Sequence, residues 1–271
     1  AYTVTGTTSV TGGAVTFNGT SAALGSALAI SGGQINVSTA NPTNLGTLTM
    51  TSGALGGTGT VNVANPFTWT AGTITGAGTL NLNGGVTFLG DSVKDLTGGR
   101  TLNVTAGQIA TWSGNTLDGG GRMRTGGGAI INNAGIWNDT QGFNTGISND
   151  FGGSATFNNT GVYNKNGART TDFAIAFNNT SSGVGTGVVN INAGTLRLSN
   201  GGTANAGSQF TGTGTLDIGG NYTVNAGAII SVGNAIFSGG INTITGAYTV
   251  TGTTSVTGGA VTFNGTSAAL G

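Results

Sequence analysis

"TSGALGGTGTVNV" at residues 51–63 is followed by "TAGTITGAGTLNL" at residues 70–82, and the two stretches match at a spacing of 19 residues. Each ends in apolar residues that alternate with polar ones, as in "GTVNV" and "GTLNL". This is the two-residue period of a strand that buries one face. Because Gly, Asn or Ser bounds each segment, we expect short strands separated by tight turns.

Strands of this kind recur along the chain. The alternation predicts that Leu80 and Leu82 point into a core while Thr79 and Asn81 point outward. Helices are not expected, because 56 of the 271 residues are glycine and each glycine destabilises a helix by about 1 kcal/mol. The same pattern returns in "GTLTM" (46–50), "RTLNV" (100–104), "GTLRL" (194–198) and "GTLDI" (214–218).

Two further motifs return at fixed spacing in the second half of the chain. An inner repeat of 19–26 residues is typical of a solenoid, whose successive coils stack as parallel strands about 4.8 Å apart. An antiparallel sandwich, the main alternative, does not explain why the motifs return in register. We therefore predict an all-β, parallel β-solenoid. The motifs are "GIWN" (135–138), "GVYN" (161–164), "GVVN" (187–190), "INNAG" (131–135), "FNNTG" (157–161) and "FNNTS" (177–181).

The predicted solenoid accounts for the unusual composition. The paired Asn residues are expected to form ladders along the axis and to tolerate left-handed backbone conformation at the corners. Glycine is expected at corners that require positive φ. The thin core is predicted to be filled by Phe17, Phe88, Phe157, Phe177, Trp69 and Trp112.

Residues 1–25 recur without substitution at residues 247–271. We interpret residues 1–246 as one unit of a tandem array and residues 247–271 as the start of the next identical unit. Pairing of one copy with a neighbouring chain is the alternative. Because neither terminus carries a visible cap and open strand edges recruit other strands, we expect the end to be continued by another unit or by another copy of the chain.

The tandem interpretation assigns inward positions to both copies. It also leaves residues 91–130, which contain "DSVKDLTGGR" and "GGGRMRTGGG", as a candidate loop or insertion, because they fit the repeat rhythm least. The predicted inward residues are Val4, Val10, Val15 and Phe17 in the first copy and Val250, Val256, Val261 and Phe263 in the second.

The composition excludes several classes of function. Only 5% of the residues are charged and the net charge is zero, so no basic cluster predicts binding to nucleic acid or to an anionic membrane. The chain has no Cys, which excludes disulfides and Cys-based zinc sites. No apolar run approaches the roughly 18–20 residues that span a bilayer. Disorder is disfavoured by 36% hydrophobic residues combined with few charges.

Three segments carry a family resemblance. "FNNTGVYN" (157–164), "VVNINAGTLRLSNGG" (188–202) and "FTGTGTLDIGGNYTVNAG" (210–227) resemble the repeats of large bacterial surface adhesins, namely autotransporter passengers and filamentous-haemagglutinin-type exoproteins. The resemblance extends over most of the chain and concerns composition and rhythm. It implies secretion, a right-handed parallel β-helix stalk and no catalytic residues.

All fourteen charged residues lie between Asp91 and Asp217. In a carbohydrate-active β-helix such groups could form an active site, but Glu and His, common general acids and bases, are absent. The acids are mostly dispersed and form no Asp-rich loop, which disfavours calcium but leaves a structural ion open, and the glycines at 183–187 and 212–215 indicate turns rather than phosphate loops. We therefore assign no catalytic residue, cofactor or metal. The candidates considered were Asp91, Lys94, Asp95, Arg100, Asp118, Arg122 and Arg124.

The sequence thus predicts a non-catalytic extracellular fibre or adhesin stalk, with the chain itself as partner and surface glycans as a further candidate. A carbohydrate-active enzyme and a glycan- or ice-binding solenoid, the last suggested by Thr-x-Thr motifs, remain alternatives. The sequons at Asn18, Asn103 and Asn221 leave glycosylation open. With few titratable groups, the free energy of unfolding is expected to vary little with pH.

Overall fold

The chain forms a β-solenoid of about 13 turns in a computed structural model that describes residues 2–181, 187–265 and 267–271. All regular elements in these residues are strands, and all pairings between named strands are parallel. The all-β, parallel solenoid predicted from the sequence is confirmed. The glycine turn predicted at 183–187 falls, except for Gly187, outside the described residues.

Each turn contributes one short strand to each of three stacks, which we call faces 1, 2 and 3 in chain order. Two long strands, Gln209–Ile218 and Ile229–Phe237, run across the corner between faces 2 and 3 and belong to both. Face 1 contains Tyr2–Val4, Ala22–Leu24, Thr43–Leu45, Thr60–Val63, Thr79–Leu82, Thr101–Val104, Ala129–Asn133, Ala155–Asn159, Ala176–Asn179, Gly202–Ala204, Tyr222–Val224, Ile241–Ile244 and Ala260–Phe263. Face 2 contains Thr7–Val10, Ala27–Ile30, Thr47–Met50, Phe67–Trp69, Val86–Leu89, Ile109–Ser113, Ile136–Asp139, Val162–Lys165, Val188–Ile191, Ala247–Val250 and Ala268–Ala269. Face 3 contains Ala14–Phe17, Gln34–Val37, Ala54–Gly56, Gly72–Ile74, Lys94–Leu96, Met123–Thr125, Thr145–Asn149, Thr170–Phe173, Thr195–Leu198 and Thr254–Val256.

The core is built from inward positions that stack in register from coil to coil. Leu80 is fully buried and pairs with Val61 in the preceding coil and with Leu102 in the following one. Leu82 is buried as well, while Thr79 and its neighbours at outward positions are half-buried. The predicted alternation is therefore confirmed, and it places apolar side chains on apolar side chains along the axis.

Aromatic rings fill the middle of the core. Trp69, Phe88, Trp112, Phe157 and Phe177 are fully buried, as predicted. The rings of Phe157 and Phe177 stack with centroids 5.2 Å apart and an interplanar angle of 9°. The sixth predicted core residue, Phe17, is only partly buried, because its turn is covered on one side only.

An outward Asn ladder runs along face 1, confirming one of the two predicted roles of Asn. Each side-chain amide donates a hydrogen bond of 2.7–3.0 Å to the Oδ1 atom of the Asn one coil earlier. The sequence separations run from 18 to 29 residues, a wider range than the predicted 19–26. The members are Asn44, Asn62, Asn81, Asn103, Asn132, Asn158 and Asn178.

A second Asn ladder lies inside the corner between faces 1 and 2. Asn133, Asn159 and Asn179 are fully buried and joined by amide hydrogen bonds of 2.8 and 2.9 Å. Each also donates to a backbone carbonyl of a face 2 strand in the following coil. The left-handed backbone that Asn can tolerate is not used here, because every positive φ among the described residues belongs to glycine. The ladder bonds hold these asparagines in strand conformation.

Glycine shapes the corner between faces 2 and 3. Gly13, Gly33, Gly53 and Gly72 occupy this corner in successive coils with φ of 69°, 64°, 73° and 100°. A Cβ atom on Gly53 would lie 2.7 Å from the carbonyl oxygen of Gly33. Both the left-handed backbone and the close approach of the coils therefore require glycine here.

Residues 91–130 contribute strands to all three faces. The segment that departs from the coil is 114–122, a loop at the corner between faces 2 and 3. It lengthens its coil to 29 residues, measured between Asn103 and Asn132. The strands are Lys94–Leu96, Thr101–Val104, Ile109–Ser113 and Met123–Thr125.

The two identical 25-residue copies fold alike. Tyr2 pairs with Ala22 in the first copy, and Tyr248 pairs with Ala268 in the second. The ring centroids of Tyr2 and Phe17 lie 4.8 Å apart, as do those of Tyr248 and Phe263. The repeated sequence thus specifies the same local structure twice.

The eight predicted inward positions are covered to different degrees. Val10 and Val250 are buried, whereas Val15 and Val256 are 39% and 54% exposed. Val15 nevertheless pairs with buried Ile35, and Val256 with buried Phe237, so both lie on inward rows. Their exposure arises because no further described coil covers them. Val4, Phe17, Val261 and Phe263 are partly buried.

The inner Asn ladder should contribute more stability than the outer one. We expect Asn159→Ala to lower the free energy of unfolding by about 2 kcal/mol, because it leaves buried polar groups of Asn133 and the backbone without partners. Asn158→Ala, its outward neighbour, should lower it by less than about 1 kcal/mol, because water replaces the lost bond. Urea unfolding measures both values, and equal losses would contradict the distinction.

Candidate functional site: the charged face

The solvent-facing charges gather on one side of the solenoid. Lys94, Arg100, Asp139 and Lys165 are fully buried. The other ten charged residues lie on strands of face 3 or in the turns that flank it, and we call them the charged face. Charge is therefore absent from the outward sides of faces 1 and 2 within the described residues. The members are Asp91, Asp95, Asp118, Arg122, Arg124, Asp150, Arg169, Asp172, Arg197 and Asp217.

Opposite charges stack in register along the charged face. Arg124 pairs with Asp95 on the adjacent strand and donates two hydrogen bonds of 2.7 Å to its carboxylate. These hydrogen bonds raise the pKa of Arg124 above its usual value. Arg197 lies opposite Asp217, with 3.5 Å between Nε and Oδ2. Opposite charges at facing strand positions stabilise a sheet by roughly 0.2–1 kcal/mol per pair.

Two carboxylates in the turns beside face 3 accept hydrogen bonds from the backbone of neighbouring loops. Asp91 accepts hydrogen bonds from the backbone N–H (2.6 Å) and hydroxyl (2.5 Å) of Thr116, and these bonds lower the pKa of its carboxyl group. Asp118 accepts a 2.9 Å bond from the backbone N–H of Asn144 in the next coil. These two carboxylates are therefore engaged in positioning backbone rather than free for chemistry.

A cleft of about 240 Å³ opens in the middle of the charged face. Gly146 lies at its floor on the strand Thr145–Asn149 and pairs with Asp172. A Cβ atom at Gly146 would lie 2.4 Å from the carbonyl oxygen of Asp172, so the position admits only glycine. The missing side chain interrupts the outward row and leaves the cleft open.

The cleft presents complementary polar groups. The Arg122 side chain is 42% exposed and lies 3.5 Å from Asp150. The Ser148 hydroxyl has no hydrogen-bond partner among the described residues. Asp172 supplies a carboxylate that accepts a 2.7 Å bond from Ser199. The Ser148 Oγ atom is buried, so the guanidinium and the carboxylate are the groups of the cleft that can bind a small ligand rich in hydroxyl groups.

The candidate catalytic residues from the sequence do not assemble into one site. Asp95 faces outward against Arg124, whereas the adjacent Lys94 points into the core and donates a 2.9 Å bond to the carbonyl oxygen of Ser92. Burial lowers the pKa of Lys94 to about 8. Arg100 is buried at the corner between faces 3 and 1, where it donates to Gly57 (3.2 Å), and burial lowers its pKa to about 10.

Two buried charges were missed by the sequence analysis. Asp139 and Lys165 occupy one inward row of face 2, where Asp139 pairs with Trp112 in the preceding coil and with Lys165 in the following one. The Lys165 Nζ atom lies 3.9 Å from Asp139 Oδ2. The alternation of inward and outward residues predicts that Asp139 is buried, because Asp139 shares its side of the strand with the buried Trp137.

Hydrogen bonds satisfy the rest of this buried pair. Asp139 accepts bonds from the hydroxyl groups of Tyr163 (3.0 Å) and Thr171 (2.5 Å) and from the backbone N–H of Gln141 (3.2 Å). Lys165 donates to the carbonyl oxygen of Gly167. Burial raises the pKa of Asp139, which the charge of Lys165 opposes, and burial lowers the pKa of Lys165. A pH dependence of the free energy of unfolding should therefore arise mainly at this pair.

The described residues contain no group of three or more Asp side chains close enough together to hold a metal ion. Nor do they include a helix of the length and hydropathy that crosses a bilayer.

Removing Lys165 should leave the Asp139 carboxylate buried without a counter-charge. We expect Lys165→Met to lower the free energy of unfolding at pH 7 by about 3–5 kcal/mol. The substitution raises the folded-state pKa of Asp139 further above its unfolded value. The folded state then binds more protons, so the free energy of unfolding should rise as the pH falls from 7 toward 5.

Chemical denaturation at several pH values measures this effect. The control is Asp139→Asn in the Lys165→Met background, which removes the buried charge and should recover stability at pH 7 while abolishing the pH dependence. A Lys165→Met protein as stable as the parent at every pH would show that the pair is not coupled.

Comparison with protein-family models, with curated proteins and with solved structures finds no significant match to this chain.

Proposed function

We propose that the chain is a section of a non-catalytic, tandem-repeat β-solenoid rod that serves as an extracellular fibre or adhesin stalk. The observation that carries the proposal is the repeated segment, because both copies form the same strands and the same internal pairs as integral coils of the solenoid. Because the strands of residues 247–271 fold as those of residues 1–25 do, a unit of 246 residues can be repeated without a break in the core.

The interior of the structure suits a continuous rod. Apolar rows, two Asn ladders and parallel backbone hydrogen bonds all run along the axis, so that successive coils are bonded to each other on all three faces. The absence of His, Cys and Glu from the sequence leaves few groups for general acid–base or nucleophilic catalysis. The resemblance to adhesin repeats supports an extracellular location.

Length measurements test the rod. A chain of two consecutive 246-residue units should be longer than one unit by about 54 Å at unchanged diameter, since about 11 turns rise about 4.8 Å each. Small-angle scattering and electron microscopy measure both dimensions, with the one-unit chain as the control. Two separate compact particles per chain, or added diameter instead of length, would contradict the proposal.

The cleft on the charged face favours glycan binding as a second candidate function. Its guanidinium, carboxylate and amide groups match the hydroxyl-rich surface of a saccharide, and Phe151 is exposed beside Arg124. A stalk that also binds surface glycans would act as an adhesin along its length.

An array of neutral and acidic oligosaccharides tests this second function. Asp172→Ala should weaken binding of the tightest glycan at least tenfold, or about 1.4 kcal/mol, because it removes the carboxylate from the cleft. Asp217→Ala, on the same face but outside the cleft, should leave the affinity unchanged. No retained glycan, or equal loss in both variants, would contradict binding in the cleft.

A further inference from the structure

The two identical copies lie on different faces of the solenoid. Tyr2–Val4 belongs to face 1, whereas its counterpart Ala247–Val250 belongs to face 2 and pairs with Ile229–Phe237. The following strand, Thr7–Val10, is on face 2, whereas Thr254–Val256 is on face 3.

The same displacement holds for the rest of the copy. Ala14–Phe17 stacks on face 3, and its counterpart Ala260–Phe263 stacks on face 1 against Ile241–Ile244. Ala22–Leu24 returns to face 1, and Ala268–Ala269 lies on face 2. All four strands of the second copy are thus advanced by one face.

Counting strands explains the displacement. Among the described residues, with the two long strands counted once on each face they cross, 34 strand positions separate Tyr2–Val4 from Ala247–Val250. Three positions make one turn, so the 246-residue repeat contains eleven turns and one third of a turn. A repeat unit that ends one face beyond a whole number of turns must begin its next copy on the neighbouring face.

The sequence tolerates this displacement because the three faces use the same pattern. Val4 and Val250 both point inward, although one is on face 1 and the other on face 2. The tyrosine–phenylalanine ring pair keeps its 4.8 Å centroid distance in both positions. The copies therefore keep their strand pairing and this ring pair on different faces, although the Tyr248 hydroxyl bonds Thr254 at 2.8 Å while the equivalent Thr8 hydroxyl has no hydrogen-bond partner among the described residues.

We propose that successive 246-residue units of the rod are rotated by one face, about one third of a turn, so that their charged faces point in three directions in sequence. This inference rests on the proposed tandem rod. The fourth unit would point in the same direction as the first, after 34 whole turns or about 163 Å of rise at about 4.8 Å per turn.

The rotation determines how the rod presents its polar surface. Within one unit the charged face points in a single direction, and so does its cleft, which lies between Arg122 and Asp172. A rod of three or more units presents this surface on all sides, with a step of about 54 Å along the axis at about 4.8 Å per turn. A flat partner surface would then contact the charged face of only one unit in three. Separate partners could be bound around the whole rod.

Site-specific labels test the rotation. The chain contains no Cys, so Arg197→Cys on the charged face gives one attachment site per unit for a maleimide-linked gold particle. A four-unit chain labelled in units one and two should show the two particles about one third of a turn apart in tomograms. The same chain labelled in units one and four should show both particles on one side of the rod.

A control on face 1 calibrates the measurement. Thr60 and Thr156 lie on one outward row of that face, connected through register pairs of the intervening strands. Cysteine at both positions of a single unit should place both particles on the same side. Particles of units one and two on the same side would overturn the rotation and leave the rod intact, whereas a chain that forms no continuous rod would overturn the proposed function and the rotation with it.

Discussion

Parallel pairing in register between successive coils is the constraint on which the rest of this structure depends. Each residue stacks on its equivalent in the coils before and after it, so its environment is set by residues roughly twenty positions away. Rows of apolar residues become the core, as in Val61, Leu80 and Leu102. Rows of asparagine become ladders in which each amide is both donor and acceptor for its neighbours.

The same constraint governs charge. A charged residue on an inward row is tolerated when the next residue of that row, or the nearby backbone, satisfies it, as Lys165 and its surroundings do for Asp139. Such a pair adds little net stability over apolar residues of similar size, because both charges lose their hydration. It is satisfied only when the two coils are in register, and it therefore disfavours slippage of one coil on the next.

The three faces share one alternating pattern of inward and outward residues, so the sequence repeat is independent of the turn of the solenoid. A repeat boundary does not have to coincide with a whole number of coils, because a strand that fits face 1 also fits face 2. The glycine corners, for example Gly33 and Gly53, supply the bends wherever the alternation is interrupted. The overall symmetry of a longer rod is then decided by how many strands a repeat contains, and not by any single contact.

The sequence by itself determined the fold class, the inward and outward sides of most strands and the identity of the two copies. These features depend on local alternation and on repetition, and both are visible in segments such as Thr79–Leu82. Which charges face solvent was not assigned from the sequence, although the alternation along the strand Lys94–Leu96 carries this signal, since Lys94 shares the buried side with Leu96 and Asp95 does not. Only the tertiary structure decided that ten charges share one face, that Gly146 leaves a cleft among them and that the second copy lies one face further on. Each of these outcomes depends on which face each strand joins, and residue spacing alone does not reveal this because the coils vary from 18 to 29 residues.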